Sequence, residues 1–444
     1  MKRILIIGSG RSTSHLIQYL GALAEEKNWH ITIADVNIEL AKSKIFNPFM
    51  QAMFLDISDI KNTEEAIQDA HIVVSMLPAH MHIPVAKICL KHRKNLVTAS
   101  YMSDEMKSLH KEALQKNLIF LNEIGVDPGI DHLSAMKALN EIREIGGEIL
   151  DFESFTGGLV APGYDNNPWQ YKFTWNPRNV VLAGQGGAVK FIQEGQYKFI
   201  PYNKVFRRTE IIDIEGYGKF EGYANRDSLK YRETYGLENV KTMFRGTLRR
   251  PGFCKAWNCF VELGATDDSY TLDCENMTYR DFINTFLAYH PTDSVEIKLR
   301  QYLKIDQDDV DLWEKLEWLG IFDNKPIGLR KASPAQILQR LLEEKWSLSP
   351  KDKDMLVMWH KIMYQKNKKK FIKELSMVCM GDDETYTAMS KTVGLPLAIA
   401  TKHILDGTFE QRGAVLPISA DIYEPILKEL EELGIYFNER EQPI

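Results

Sequence analysis

The chain has 444 residues, of which 44% are hydrophobic and 26% charged, with a formal net charge of −6. That length exceeds one comfortable core and points to two or three domains, while the mild acidity gives no electrostatic case for a nucleic-acid partner. The 5 cysteines are scattered without a CxxC pair, which argues against a disulfide framework or a structural zinc site and suits a reducing cytoplasm.

The N-terminal MKRILIIGSG is too short in its apolar part for a signal peptide and runs straight into a glycine loop. No stretch reaches the roughly 20 apolar residues of a membrane span. A cytoplasmic protein is the expectation.

The first 125 residues alternate between two periods. Apolar, β-branched runs at 3–8 (RILIIG), 30–35 (HITIAD), 52–56 (AMFLD), 71–77 (HIVVSML), 95–100 (NLVTAS) and 118–125 (LIFLNEIG) are separated by helical patterns over 13–26, 79–92 and 103–117. This alternation predicts an α/β fold with a Rossmann parallel sheet covered on both faces, binding ligands at the strands' carboxyl ends. From about 145 the texture changes to a strand at 149–158 and a Gly/Pro/Asn-rich stretch at 157–175. Trp169, Tyr171, Phe173 and Trp175 in that stretch argue against disorder and for function. Residues 197–262 read as short strands and turns. Residues 278–346 read as helical, with Leu312, Leu316 and Leu319 forming a core stripe. Segments 354–365 and 369–381 form a hairpin around a solvated basic turn, Lys366–Lys370, and 387–407 is a helix pair or one long helix interrupted at Gly394–Pro396. The expected architecture is a Rossmann domain over 1–125 completed by 387–444, an α/β substrate-binding and dimerisation domain over 126–270 and 354–386, and a helical insert over 271–353.

Gly8-Ser9-Gly10-Arg11-Ser12-Thr13 follows the first strand and opens the first helix. Such glycines permit a tight turn and close approach of backbone to a pyrophosphate resting on a helix N-terminus. Thr13 stands where the usual third glycine would be. The second strand ends at Asp35, an acid placed to accept both ribose hydroxyls and to repel a 2′-phosphate, which favours NAD while leaving NADP possible. Asp56, Leu77-Pro78, Thr98-Ala99-Ser100-Tyr101 and Asp127 end successive strands and point to the same rim by strand order. No metal-ligand spacing occurs.

The run GVDPGIDHLSAM (125–136) gathers two carboxylates and an imidazole around a Pro-Gly turn. Asp131 reads as the N-cap of a helix carrying Leu133, Met136 and Leu139; Asp127 is left over for chemistry. His132 is the competing base by its ordinary titration range, with Tyr101 and Lys172 behind it. Arg226, Arg232, Arg245, Arg249 and Arg250 lie in Gly/Pro-bounded segments, and their planar forks suit carboxylates, suggesting a small molecule with several negative charges. For any one of them a surface salt bridge is the plainer reading.

These segments together, GSGRSTSHLIQYL, LPAHMHIPVAKICL, VTASYMS, NEIGVDPGIDHLSAMKAL, GGLVAPGYDNNPWQYKFTWNPR, GYANRDSLKY, FRGTLRRPGF and TVGLPLAIATKHILDG, resemble the glutamate-forming saccharopine dehydrogenase (saccharopine reductase) family along essentially the whole chain. The resemblance implies a homodimeric, nicotinamide-dependent enzyme of lysine metabolism interconverting saccharopine with glutamate and 2-aminoadipate 6-semialdehyde. It implies saccharopine contacts at Ser100, Tyr101, Asp127, Arg226 and Thr247-Leu248-Arg249. It implies nucleotide contacts at Gly10 to Thr13, Asp35, Asp56, the turn around Leu77, Thr98 to Ser100, and Asn176. Family members usually read GGLPAPE where this chain has GGLVAPG, so Val160 and Gly163 depart from the pattern. The biosynthetic fungal branch tends to place a basic residue where Asp35 stands, which implies an NAD-using, lysine-degrading role here. The alternatives are a related reductase joining a polyamine-type amine to another semialdehyde, which would want acids where Arg226 and Arg249 stand, and a non-catalytic dinucleotide sensor.

Overall fold

The computed structural model describes residues 1–183 and 187–444. It divides into two compact units, one formed by 1–149, 364–371 and 377–444 and the other by 150–363 and 372–376. The first unit thus continues through Ile149, and residues 271–353 lie in the second unit.

The first unit is built on strands β1 (Lys2–Ile7), β2 (Trp29–Asp35), β3 (Met50–Phe54), β4 (Ile72–Ser75), β5 (Asn95–Val97) and β6 (Ile119–Leu121). They lie in the order 3-2-1-4-5-6, all parallel, and the strand Gly413–Val415 extends the sheet beyond β6. Continuous apolar runs make this possible. Ile4 to Ile7 and Ile72 to Val74 are all at most 2% exposed, so helices must cover both faces. Because the order reverses between β1 and β4, the connections leaving these two strands part and open a crevice at their carboxyl ends.

The helix Ala388–Asp406 runs unbroken through Pro396, so the expected interruption does not occur. Its residues from Gly394 to Thr401 are buried, and a Cβ on Gly394 would stand 2.7 Å from the Leu16 nitrogen of helix α1 (Ser14–Leu23). Packing on α1 outweighs the one backbone hydrogen bond that proline removes.

The second unit carries a mixed sheet in the order Thr209–Ile214, Gly218–Ala224, Thr242–Arg249, Glu148–Val160, Asp354–Lys366, Lys369–Met380. The last two strands are the expected hairpin. Asn367 and Lys368 both take positive φ (50° and 64°) in its two-residue turn, the twist that matches adjacent strands. Phe253–Leu263 is a helix, not part of the run of strands and turns expected there. Gly252 and Gly264, both left-handed, bracket it, and Cys254 and Cys259 are buried along it. The aromatics of 169–173 are core. Trp169, Tyr171 and Phe173 pack edge-on to Trp346 at 5.0–5.4 Å between ring centroids. Trp346 ends the helix Pro334–Trp346, so this long segment is held by stacking rather than by regular hydrogen bonding. The helix Val310–Trp318 buries Leu312 and Leu316, with Leu319 just beyond it, as their spacing predicts. Among the described residues, no helix is long and apolar enough to cross a membrane, and no group of three or more His, Cys, Asp or Glu side chains is placed to hold a metal ion.

Candidate active site

At the end of β1, Gly8 has φ +100°, and a Cβ there would lie 2.8 Å from the Met76 carbonyl oxygen. Only glycine lets the chain turn this close to β4. Gly10 has open space where a Cβ would project. The turn Arg11–Thr13 then leads into α1 without a side-chain cap, so the positive end of the helix is left for a ligand. Gly10 to Thr13, Ser75 to Leu77 and Thr98 to Ser100 line a cleft of about 240 Å³, closed on one side by Val393 of the helix Ala388–Asp406. These features fit a dinucleotide. A larger hollow of about 670 Å³ lies along β1–β3, from Arg3 and His30 to Phe54 and Asn62, and includes no residue of the glycine loop.

Thr13, in place of the third glycine, is buried and donates to the Gly10 carbonyl at 2.7 Å. Lys44 completes this lock, donating to Gly10 O at 2.9 Å, Thr13 Oγ1 at 2.8 Å and Ser14 Oγ at 3.3 Å. Burial pushes the Lys44 ammonium down to about 8, against the pull of Asp35. Asp35 Oδ2 accepts from both the nitrogen and hydroxyl of Ser9 at 2.7 Å, and Oδ1 accepts from Asn37 N at 2.8 Å. Burial would raise this carboxyl, but the hydrogen bonds from Asn37 and Ser9, with Lys44 nearby, outweigh it and hold Asp35 below the usual range. Asp56 stays outside the cleft lining. It is exposed, just past β3, and accepts from Ser58 N and Oγ at 2.9 and 2.7 Å.

The ends of β5 and β6 are tied together by backbone bonds, Glu123 N to Ser100 O at 3.1 Å and Ile124 N to Thr98 O at 3.3 Å. Glu123, 1% exposed and at φ +56°, accepts from Met102 N at 2.8 Å through Oε1 and meets His132 Nε2 at 2.9 Å through Oε2. His132 is therefore fully buried with its Nε2 committed to a carboxylate. That arrangement braces Glu123.

Asp127 is half-buried, and its peptide bond to Pro128 is cis. Its loop folds on itself: Gly125 N donates to Pro128 O at 2.9 Å, and Gly125 O accepts from Ile130 N at 3.0 Å. Gly129 takes φ +148°, and a Cβ there would stand 2.0 Å from Gly125 O. A Cβ on Gly125 would meet Ala99 Cβ at 2.9 Å, which seats the loop against the cleft-lining end of β5. The following helix is Ile130–Glu144, and its N-cap is Gly129. Asp131 lies inside the first turn, not at the cap, and its Oδ1 reaches back to Gly129 N at 2.6 Å. The close Gly125–Gly129 approach starts the helix two residues earlier than its polar pattern implies.

In the second unit the arginines divide. Arg232 is spent on Tyr197 OH at 2.9 Å and on the Glu238 carbonyl. Arg250 donates to the Tyr217 carbonyl at 2.9 Å and lies 4.4 Å over the Phe220 ring, its buried Nε without a partner. Arg226 is exposed at φ +50°, and Arg245 lies 4.5 Å over the Tyr231 ring. Arg249 is only 4% exposed, yet it is caged by Tyr171 at 5.0 Å, Phe253 at 5.3 Å and Tyr223 at 6.0 Å. It donates to Leu248 O at 2.8 Å, and its Nε has no partner. The Tyr171 hydroxyl and the hydroxyls of Thr156 and Thr174 are likewise buried without partners. Burial drives the Tyr223 phenol up to about 12. Thr247 pairs in register with Tyr223, and Leu248 is fully buried, so of Thr247-Leu248-Arg249 it is the first and last that bring polar groups. Asn176 caps the helix Pro177–Val181 by accepting from Arg178 N at 2.9 Å. Lys172 is buried on Asp352 at 2.7 Å, a structural pair. Val160 closes its strand as a buried residue, and Gly163 occupies a left-handed turn.

A model of the saccharopine dehydrogenase NADP-binding domain matches residues 4–121, and one of the saccharopine dehydrogenase C-terminal domain matches residues 125–435. The chain belongs to the saccharopine dehydrogenase family. It is 32% identical to a Schizosaccharomyces pombe protein named saccharopine dehydrogenase (NADP(+), L-glutamate-forming), over 99% of each chain. The structure superposes on apo saccharopine dehydrogenase (L-Glu forming) from Saccharomyces cerevisiae with a TM-score of 0.89 at 30% identity, covering 100% of both chains. It shares only its fold with homospermidine synthase from Legionella pneumophila, at TM-score 0.56 and 10% identity over 99% of this chain and 91% of that one.

Sequence reasoning missed Glu123, His82, Lys44, Val393 and the Tyr171–Tyr223 cage. Glu123 was signalled by an acid closing an apolar run and His82 by a polar residue following Leu77-Pro78. Lys44 and Val393 have no local signal, since they reach the loop and cleft from distant segments.

Proposed function

We propose that this chain oxidises L-saccharopine to L-glutamate and 2-aminoadipate 6-semialdehyde, reversibly, as part of lysine metabolism. The observation that carries this reading is Arg249, a buried guanidinium with an unpartnered Nε inside an aromatic cage. A buried cation of that kind calls for a carboxylate, and a substrate with three carboxylates supplies one. A polyamine substrate would instead add cations beside it.

A nicotinamide dinucleotide bound in the first unit's cleft would accept the hydride from the carbon bearing the secondary amine. Gly8, Gly10 and Arg11 to Thr13 would hold its pyrophosphate, Asp35 its ribose, and Leu77 and Thr98 to Ser100 its nicotinamide end. In the second unit Arg226, Arg245, Thr247 and Arg249 would bind carboxylates, and Ser100, Tyr101 and Asp127 would receive the amine. Asp127 is the group we assign to holding the substrate ammonium and taking its proton, so that the nitrogen lone pair can assist hydride departure. Water then adds to the resulting imine, and the carbinolamine collapses with protonation of the departing glutamate nitrogen. NAD is the preferred coenzyme on the strength of Asp35, whose carboxylate already accepts bonds on both oxygens and would repel a 2′-phosphate; the fungal relative's name specifies NADP(+). The working form is a cytoplasmic homodimer, testable by sedimentation.

The experiment is saccharopine-dependent reduction of NAD⁺ and NADP⁺ followed by absorbance, with glutamate and the semialdehyde identified as products. Turnover favouring NAD⁺ is expected. Turnover favouring NADP⁺ removes the Asp35 argument and keeps the enzyme; no turnover with either removes the enzyme reading.

A further inference from the structure

His82, the first residue of the helix His82–Lys91, is 4% exposed and bridges the carboxyl ends of β4 and β5. Its Nδ1 lies 2.9 Å from Ser75 Oγ and its Nε2 lies 2.7 Å from Ser100 Oγ. Ser75 and Ser100 both line the dinucleotide cleft. Thr98 Oγ1 accepts from Ser100 N at 3.2 Å and lies 3.4 Å from His82 Nε2, so the Ser100 backbone is pinned as well as its side chain.

A neutral imidazole carries one N–H and one bare nitrogen, so two arrangements are open. If Nδ1 held the hydrogen, the fully buried Ser75 hydroxyl would accept from it, and the Ser75 proton would have nowhere to go. If Nε2 holds the hydrogen, Ser75 donates to Nδ1 and Nε2–H donates to Ser100 Oγ, leaving no buried donor unspent. A buried donor left unpaired loses its bond to water with nothing in return, which decides for the second arrangement. Burial depresses His82 to about 4, in keeping with the neutral ring. With its oxygen engaged by Nε2–H, Ser100 keeps its own O–H free for a ligand in the cleft.

We propose that His82 is a positioning residue that fixes the Ser100 hydroxyl as a hydrogen-bond donor to an acceptor oxygen in the cleft. That oxygen belongs either to the nicotinamide carboxamide or to a substrate carboxylate, and the proposal rests on the functional reading above. His82 touches neither ligand itself.

The test is a double-mutant cycle of H82L, S100A and the pair. Dinucleotide Kd is read by fluorescence, and saccharopine KM and kcat by turnover. If His82 acts through Ser100, each single variant weakens the same parameter by about tenfold, and the pair is no worse than S100A. A change in dinucleotide Kd assigns the bond to the carboxamide; a change confined to saccharopine KM assigns it to the substrate. H82Q, whose amide nitrogen falls near Nε2, recovers most of the loss. H82N, which reaches only the Nδ1 position, does not, and it replaces H82L should the leucine variant fail to fold. Multiplying losses in the pair, or a His82 variant that changes neither parameter, overturns the proposal. Should the wild-type protein not oxidise saccharopine, the functional reading falls, and an unchanged dinucleotide Kd across the cycle overturns this proposal separately.

Discussion

Replacing Arg249 with methionine deletes the guanidinium while keeping an unbranched side chain in the cage. Three ring contacts at 5.0–6.0 Å are lost, at about 2 kcal/mol each for a desolvated cation. The bond to Leu248 O goes too, at about 1 kcal/mol. Against these, the unpartnered Nε disappears, recovering about 1–3 kcal/mol, and the desolvation of a buried charge, roughly 4 kcal/mol, is no longer incurred. The terms cancel to within about 2 kcal/mol, so R249M folds with a Tm within a few degrees of wild type. Substrate binding has no such compensation. Losing a buried, hydrogen-bonded partner for a carboxylate costs about 2–5 kcal/mol, and saccharopine KM rises by about 30-fold or more. Dinucleotide Kd, read by fluorescence on the same samples, stays constant. A folded R249M with wild-type KM would remove Arg249 from the substrate site, and a protein that fails to fold would refute the energy balance.

Gly129→Ala forces a Cβ to within 2.0 Å of the Gly125 carbonyl at φ +148°, and neither backbone can retreat. The expected loss is about 3 kcal/mol or more of stability by urea melts, with kcat reduced through displacement of Asp127; a wild-type melt would show that the loop is not closed this tightly. Asp35→Ala is expected to lower kcat/KM for NAD⁺ by about tenfold or more, since charge-assisted bonds to the ribose are lost. NADP⁺ should lose less, and an unchanged ratio between the two coenzymes counts against a ribose role. His82 also gives a pH signature. Its folded-state value near 4 lies below the ordinary 6.5, so between these values the unfolded chain binds a proton that the folded protein refuses. The stability tied to this site is complete above pH 6.5 and is lost as pH falls toward 4. The advantage of wild type over H82Q should therefore shrink by about 2 kcal/mol between pH 7 and 4.5, and a constant gap between their urea melts would sink this account.

Periodicity alone determined the first unit's strands, because strands buried on both faces must be continuously apolar and those runs are visible without coordinates. The glycine loop was equally legible: Gly8 and Gly10 sit where backbone must pass close to backbone or leave room for a ligand, a demand that only one residue type meets. Strand order predicts Asp35 and Asp127 at one rim, because strand ends in a parallel sheet share one edge; the cleft lining itself includes neither. The helix Phe253–Leu263 was missed since its neighbours on both sides carry turn residues, and the unbroken Ala388–Asp406 helix was left open because proline's local cost argues against continuity. Only tertiary structure decided which partner each polar residue meets. His132 and Asp131 look as reactive as Asp127 in the sequence, but the fold sets His132 against Glu123 and turns Asp131 back on Gly129. Five arginines look alike until Arg232 is found held by Tyr197 and a carbonyl, Arg250 over Phe220, and Arg249 buried among three aromatic rings. Lys44 reaches the glycine loop from 31 residues beyond Thr13, and His82 acquires its meaning only between Ser75 and Ser100. Hydrophobic pattern is a property of neighbouring residues, whereas the partner that satisfies or exposes a polar group is set by which distant segments the fold brings to it.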